Sequence, residues 1–245
     1  MNRDLRWPRL IGHRGALRLA PENTLASFFC AREAGALWVE LDVRLSRDRV
    51  PVVFHDARLE RTSNGKGRVI GQSLEQLKRL DAGSWFGPQF RGQSIPTLEE
   101  ALLEIARLGL GVNIEIKPDP GLESETARLA LETAARIWPA DAPLPLISSF
   151  KQEALKQASG MGIGWPLGYL AERFSQEALA KALALKVSTF NLNEKHIKPA
   201  QAALIHQAGL GVMAYTVNDP ARARHLWAMG VDSLFTDNPK VLSAG

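Results

Sequence analysis

Cysteine is almost missing from this chain: Cys30 is the one thiol in 245 residues. A lone cysteine excludes an internal disulfide and a cysteine-ligated metal, and it agrees with a reducing compartment. Long apolar runs are missing too. No uncharged apolar stretch reaches about 18 residues, so no membrane span is expected. The opening Met1-Asn2-Arg3-Asp4-Leu5-Arg6-Trp7-Pro8 has no apolar core of the kind a secretory leader carries. Together these absences lead to the expectation of a cytoplasmic protein. Low-complexity tracts and internal repeats are also lacking, which excludes disordered and fibrous classes. Charge of one sign is scarce: 30 basic against 26 acidic residues leave a net +4. That excess is too mild for a nucleic-acid binder but suits an anionic substrate. What remains is a chain 45% apolar and 23% charged, long enough for one large domain over residues 1–245.

Strand-like and helix-like segments alternate along it. The expected strands are Leu10–His13, Trp38–Val43, Pro51–His55, Val112–Lys117, Leu144–Ser148, Ile163–Leu170, Lys186–Phe190, Gly211–Thr216 and Asp232–Thr236. Helical patterns fall at Thr24–Ala34, Thr97–Leu108, Glu123–Ile137, Lys151–Ser159, Ser175–Leu185, Lys195–Gln207 and Pro220–Met229. In the first of these, Leu25, Phe28 and Phe29 are spaced for one buried face, and Gly35 supplies a stop. Such alternation predicts an α/β protein with a parallel sheet, and its size matches a (β/α)₈ barrel of the TIM type. An open doubly wound sheet is the rival, but Gly12-His13-Arg14-Gly15 does not extend to its G-x-G-x-x-G turn.

Nine strands exceed a barrel by one, and connection length identifies the extra. Ser46–Val50 is far too short for a parallel crossover, so Trp38–Val43 and Pro51–His55 must form an antiparallel hairpin. A turn centred between Arg47 and Asp48 makes paired residue numbers sum to about 95, placing His55 across from Glu40 on one face. The hairpin's second strand then opens an insertion in the second βα connection, at about residues 44–95. Its stretch from Ala57 to Gln93 carries six glycines and, in its first half, Arg58, Arg61, Lys66 and Arg68. This reads as a basic flap over the barrel mouth.

Glu40 and Asp42 lie two apart on one strand, so both side chains leave the same face. Glu115 and Lys117 repeat that spacing on another strand. Two carboxylates on a face that would otherwise bury apolar residues repel unless a cation or a basic group lies between them. An all-oxygen set without cysteine favours Mg²⁺ or Ca²⁺. The bland alternative is an ion pair at Glu115–Lys117 and a solvated rim at Glu40 and Asp42. His13 ends the first strand beside the second, with Arg14 next to it, so both histidines converge on the acids. His196, His206 and His225 fall in helical patterns and carry no chemistry in this reading. G-x-S-x-G, H-E-x-x-H and P-loop motifs are all missing. Residue types and spacing alone describe a metal-assisted hydrolase of an anionic substrate, with imidazoles exchanging protons.

A set of motifs in order from residue 12 to 239 resembles the glycerophosphodiester phosphodiesterase family. They are Gly12-His13-Arg14-Gly15, Ala20-Pro21-Glu22-Asn23-Thr24, Glu40-Leu41-Asp42-Val43, Val53-Phe54-His55-Asp56 and Leu59-Glu60-Arg61-Thr62. Ile95-Pro96-Thr97-Leu98, Glu115-Ile116-Lys117, Tyr215-Thr216-Val217-Asn218 and Thr236-Asp237-Asn238-Pro239 follow. The resemblance implies a TIM-type barrel with a small inserted subdomain, and hydrolysis of glycerophosphodiesters to sn-glycerol 3-phosphate and an alcohol. It implies a divalent cation, Mg²⁺ or Ca²⁺, on Glu40, Asp42 and Glu115. His13 and His55 match the general acid and base, in either order, and Arg14 and Lys117 match the phosphate contacts. Direct attack by water and attack by the glycerol 2-hydroxyl are both compatible with it. Tyr215 stands where a tryptophan is common, and Ser63 where a second threonine is frequent. Phe150, Tyr215 and Asn191 are expected at strand ends, lining the pocket or packing on the rim. A phospholipase-type phosphodiesterase of the same superfamily and an inactive glycerophosphodiester-binding barrel are the alternatives.

Overall fold

The computed structural model describes residues 7–243. The expectation about a leader rests on residues 1–8, of which 1–6 lie outside the described residues. Strands β1 (Leu10–Gly12) and β2 (Trp38–Leu45) pair in parallel, and β3 (Pro51–Val53) runs antiparallel to the end of β2. Strands β4 (Gly111–Ile116), β5 (Leu146–Ser149), β6 (Leu167–Ala171), β7 (Thr189–Asn193), β8 (Gly211–Tyr215) and β9 (Ser233–Thr236) continue the parallel sheet from β2. Ile11 pairs with both Phe235 of β9 and Trp38 of β2, which closes the sheet. Eight parallel strands form the barrel, and β3 stands outside it as the connection lengths required. No helix among the described residues is long and apolar enough to cross a membrane.

Outward residues of the staves, such as Val39, Leu41, Val43, Val112 and Ile114, bury against the surrounding helices. Helix α1 is Leu25–Glu33, α2 is Leu74–Lys78 and α3 is Leu98–Arg107. In α3, Leu98, Ala101, Leu102 and Ile105 are buried at helical spacing, and Thr97 with Glu100 closes a capping box at its start. Inside the barrel, Ile11, Trp38, Leu146, Met213 and Phe235 fill the end where the strands begin. The Trp38 indole lies over Gly111, where an added Cβ would come within 2.3 Å of it.

The hairpin departs from expectation by one residue. Val43 pairs with Val53, Arg44 with Val52 and Leu45 with Pro51, so pairs sum to 96 and not 95. The loop has three residues, Arg47–Arg49, because Arg49 takes a left-handed conformation (φ 63°) and Ser46 N–H donates to Val50 C=O at 3.0 Å. On that register His55 would face away from Glu40. It does not stay on the ladder, because β3 ends at Val53 and the chain bends. Other boundaries also shift: β5 begins at Leu146 and β6 at Leu167. Pro199 opens helix α7 (after α4 Glu123–Ile137, α5 Gln152–Gly160 and α6 Gln176–Ala184), with Glu194–His196 a separate 3₁₀ turn. On α1 the expected apolar face is overturned: Phe28 is buried, but Leu25 and Phe29 are exposed. Ser27 takes the buried position instead because its hydroxyl accepts from Ala16 N–H and donates to Arg14 C=O.

Between β2 and α3 the inserted segment has its own apolar cluster, formed by Val52, Phe54, Leu59, Val69, Leu77, Ala82 and Ile95. Asp81 anchors its outer loop by accepting from the N–H groups of Gly83, Ser84 and Gly92. The main core and this cluster are separate, which generates a prediction. Leu102→Ala, a deletion in the main core, should destabilise the protein by about 2–5 kcal/mol. Urea unfolding of the variant should show this loss.

Candidate active site

The carboxylates meet because of strand register. Asp42 of β2 lies directly beside Glu115 of β4, and Glu40 is two residues earlier on the same inward face. One carboxylate oxygen from each of Glu40, Asp42 and Glu115 lies within 4.8 Å of the others. Glu40 and Asp42 are almost fully buried. Their neighbours are cationic. Arg14 donates its backbone N–H to Glu40 at 2.8 Å and places its Nε 3.4 Å from Asp42. Lys117 Nζ lies 3.1 Å from Glu115 and 3.7 Å from Asp42. Asn23 completes the set, donating its side-chain amide to Asp42 at 2.8 Å and accepting from the Asp42 backbone N–H.

This close return of the β1–α1 loop depends on two backbone features. Arg14 and Asn23 adopt left-handed conformations (φ 50° and 58°), and a Cβ on Gly12 would collide with the Gly15 carbonyl at 2.1 Å.

The electrostatics divide the three acids. Burial, and then the charges of Asp42 and Glu115, push Glu40 well above the usual carboxylate range. Burial and the charge of Asp42 push Glu115 up to about 7. Burial opposes the charge on Asp42 as well, but Arg14, Lys117, His55 and the Asn23 amide overcome it and hold that carboxyl low. Oε1 of Glu40 and Oδ1 of Asp42 are buried without a hydrogen-bond partner among the described residues. Two buried carboxylate oxygens without hydrogen-bond partners, beside a third carboxylate, fit a divalent cation bound by oxygen ligands.

Each of the two histidines leans on an aspartate. His13 Nδ1 lies 2.7 Å from Asp237 Oδ1, and Asp237 also accepts from the Asn218 amide at 2.6 Å. His55 Nδ1 lies 2.6 Å from Asp56 Oδ1, and its backbone carbonyl accepts from Arg44 Nε at 2.8 Å. Burial pulls the His55 imidazole below its ordinary range, and the charges of Arg14 and Lys117 add to this against Asp42 and Asp56. With Nδ1 engaged by an aspartate, each ring has Nε2 as its remaining nitrogen.

Of the predicted residues, Arg14, Glu40, Asp42, Glu115 and Lys117 form one set of direct contacts, His55 acts on Asp42 through its charge, and His13 precedes Arg14 with its ring on Asp237. Phe150 and Tyr215 meet edge to face at 5.8 Å, and Tyr215 donates its hydroxyl to Ala171 C=O. Asn191 does not reach the mouth. Strand β7 runs on for two more residues, so Asn191 is fully buried inside the barrel between Leu170 and Met213. His196 and His206 pair with surface acids, Glu172 and Asp232. A cleft of about 670 Å³, lined by Trp7, Trp165, Lys186 and His206, opens where β5 to β8 begin, at the opposite end from the acids. The flap's arginines do not form a basic surface. Arg58 pairs with Glu60, Arg61 with Asp56 and Glu22, and Arg68 with Asp119. Sequence reasoning assigned no role in the site to Asp56, Asp237, Asn23 or Glu22, and took Arg61 only as a charge of the flap. The available signal was that each sits inside one of the ordered motifs that carry the family resemblance.

The raised Glu115 carboxyl sets a pH test. An acid whose folded-state pKa lies above its unfolded value loses stability for the fold as pH rises between the two. In chelator, Glu115→Gln should therefore gain stability relative to wild type as pH rises from 4.5 to about 7. Paired urea melts at the two ends of that window measure the difference, and an unchanged difference would refute the assigned electrostatics.

Residues 13–241 match the model of the glycerophosphoryl diester phosphodiesterase family. The chain is 37% identical to YhdW of Bacillus subtilis, over 94% of each chain. It is 34% identical to the glycerophosphodiester phosphodiesterase of Caldanaerobacter subterraneus subsp. tengcongensis, over 95% of each. Among solved structures, an Oleispira antarctica phosphodiesterase in complex with the product sn-glycerol-3-phosphate superposes with a TM-score of 0.94. That protein is 39% identical, with 97% of this chain and 96% of the other covered. The chain belongs to the glycerophosphoryl diester phosphodiesterase family.

Proposed function

We propose that the protein hydrolyses glycerophosphodiesters, such as glycerophosphocholine and glycerophosphoethanolamine, to sn-glycerol 3-phosphate and an alcohol. The observation that carries this reading is the pair of aspartate-backed imidazoles, His13 and His55, set around the Glu40–Asp42–Glu115 cluster. The product bound to the Oleispira antarctica relative supports the glycerol half of the substrate. Glu40, Asp42 and Glu115 would hold Mg²⁺ or Ca²⁺. When bound, that ion neutralises charge on the phosphate oxygens.

Arg14 and Lys117 hold the phosphate on its other sides, as preorganised donors where charge accumulates. One imidazole takes the proton of the attacking hydroxyl, either water or the glycerol 2-hydroxyl. The new O–P bond forms as the P–O bond to the departing alcohol breaks. The second imidazole gives its proton to that alcohol oxygen. In the second route water then opens the cyclic phosphate, with the histidine roles exchanged. Phe150 and Tyr215 supply an aromatic wall for the glycerol carbons. The lone Cys30 supports a reducing, cytoplasmic setting.

Turnover of glycerophosphocholine should vanish after chelation and return with Mg²⁺ or Ca²⁺. Asp42→Ala should weaken metal binding and turnover together; full activity in metal-free buffer would defeat the reading. Loss of either imidazole, as His13→Ala or His55→Ala, should lower kcat on the order of 10²-fold or more. Unchanged turnover in either variant removes that residue from proton transfer. Deacylated diesters with different headgroups should all be cleaved, and dispersed phosphatidylcholine should be cleaved poorly or not at all. Faster cleavage of the intact lipid would instead favour the phospholipase alternative.

A further inference from the structure

One guanidinium joins the two halves of the site. Arg61, on the inserted segment, presents Nε to Asp56 Oδ2 at 2.6 Å and Nη2 to Asp56 Oδ1 at 3.1 Å. The same group presents Nη1 to Glu22 Oε2 at 2.7 Å and Nη2 to Glu22 Oε1 at 2.8 Å. All its nitrogens are engaged. Asp56 in turn holds the His55 ring, and Glu22 accepts from Arg14 Nη1 at 2.8 Å. Glu22 is almost fully buried, and Arg61 first, by hydrogen bonding, with Arg14 charge behind it, overcomes burial to keep its carboxyl ionised. Asp56 is likewise held down, to about 2, by Arg61 and His55 against its burial. An unbroken chain of charge-assisted contacts therefore runs His55–Asp56–Arg61–Glu22–Arg14.

We propose that Arg61 is a positioning residue, which sets the orientation of His55 through Asp56 and of Arg14 through Glu22. The proposal rests on the hydrolytic reading above for its kinetic consequence, though not for its geometry. A planar fork can grip two carboxylates at once, each through two N–H groups in fixed directions, whereas an ammonium meets a carboxylate as a point charge. Without Arg61, Asp56 is free to turn to solvent and Glu22 retains Arg14 alone. The inserted segment does not depend on Arg61 for attachment. Arg68 pairs with buried Asp119, Lys78 with Glu100, and Val52 and Ile95 bury in the segment's own cluster. Arg61 thus ties the segment to the chemistry.

The test compares wild type with Arg61→Ala, Arg61→Lys, Asp56→Asn, Glu22→Gln and the double variants Arg61→Ala/Asp56→Asn and Arg61→Ala/Glu22→Gln. Glycerophosphocholine turnover with Mg²⁺ or Ca²⁺ is measured below every variant's unfolding temperature. Arg61→Ala should lower kcat on the order of 10–100-fold, the scale of lost outer-shell partners, and raise KM as well. Asp56→Asn should act on kcat and Glu22→Gln on KM. Each double variant should lose much less than the product of its single losses, because the residues act as one unit. Arg61→Lys should remain impaired. A purely structural Arg61 would lower the unfolding temperature while leaving kcat and KM unchanged, and that result overturns the proposal, as do multiplicative double variants. A second readout needs no turnover. Ring ¹⁵N shifts should show His55 protonated on Nδ1 in the neutral wild-type protein and mixed between nitrogens in Arg61→Ala. An unchanged tautomer also overturns the proposal. Wild-type protein that leaves glycerophosphocholine intact defeats the hydrolytic reading alone, and the tautomer result then decides Arg61's role.

Discussion

Mutual repulsion among three inward carboxylates is the constraint to which the rest of this molecule answers. Strand register forces it, because Asp42 lies directly across from Glu115 and the period of two adds Glu40 on the same face. Nothing in a barrel lets these side chains turn outward, since the outer face is packed against helices. Positive charge and hydrogen-bond donors must therefore come to them. The β1–α1 loop folds back in left-handed conformations at Arg14 and Asn23 to bring a backbone N–H, a guanidinium and an amide. Lys117 comes from the end of β4 itself. The residual negative charge, concentrated on oxygens without hydrogen-bond partners, is what a hard divalent ion would neutralise.

The proton-transfer groups are arranged by a different principle. The two imidazoles come from two different loops, His13 after β1 and His55 after β3, and each is oriented by an aspartate. His13 gets its partner from the loop after the last stave, so that pair depends on barrel closure between β1 and β9. His55 gets its partner from the adjacent residue, but Asp56 is itself fixed by Arg61. Arg44, buried on β2, holds the His55 carbonyl from the other side. The inserted segment works as a brace, because two of its arginines, Arg61 and Arg68, are spent on Glu22 and Asp119.

Several features were legible in the chain. Spacing of two placed Glu40 with Asp42 and Glu115 with Lys117, and the short Ser46–Val50 link required the hairpin that removes one strand from nine. Where the reading failed, local chemistry overrode the pattern. Arg49 accepts a left-handed conformation, which lengthens the loop to three residues and shifts the register by one. Ser27 displaces the apolar residues of α1 from the buried face because the folded-back loop needs its hydroxyl. Asn191 was placed at a strand end, but β7 continues past it.

The sequence by itself determined the α/β barrel, its inserted segment and the seven polar residues at one end of it. Those features follow from periodicity, connection length and ordered motifs, which act along the chain and can be counted there. Only the tertiary structure decided which acid meets which base. His13 and Asp237 are 224 residues apart, and Arg61 finds Glu22 across 39. Such pairs form when sheet closure and the bend after Val53 bring distant loops to one rim, and no period in the chain encodes that distance.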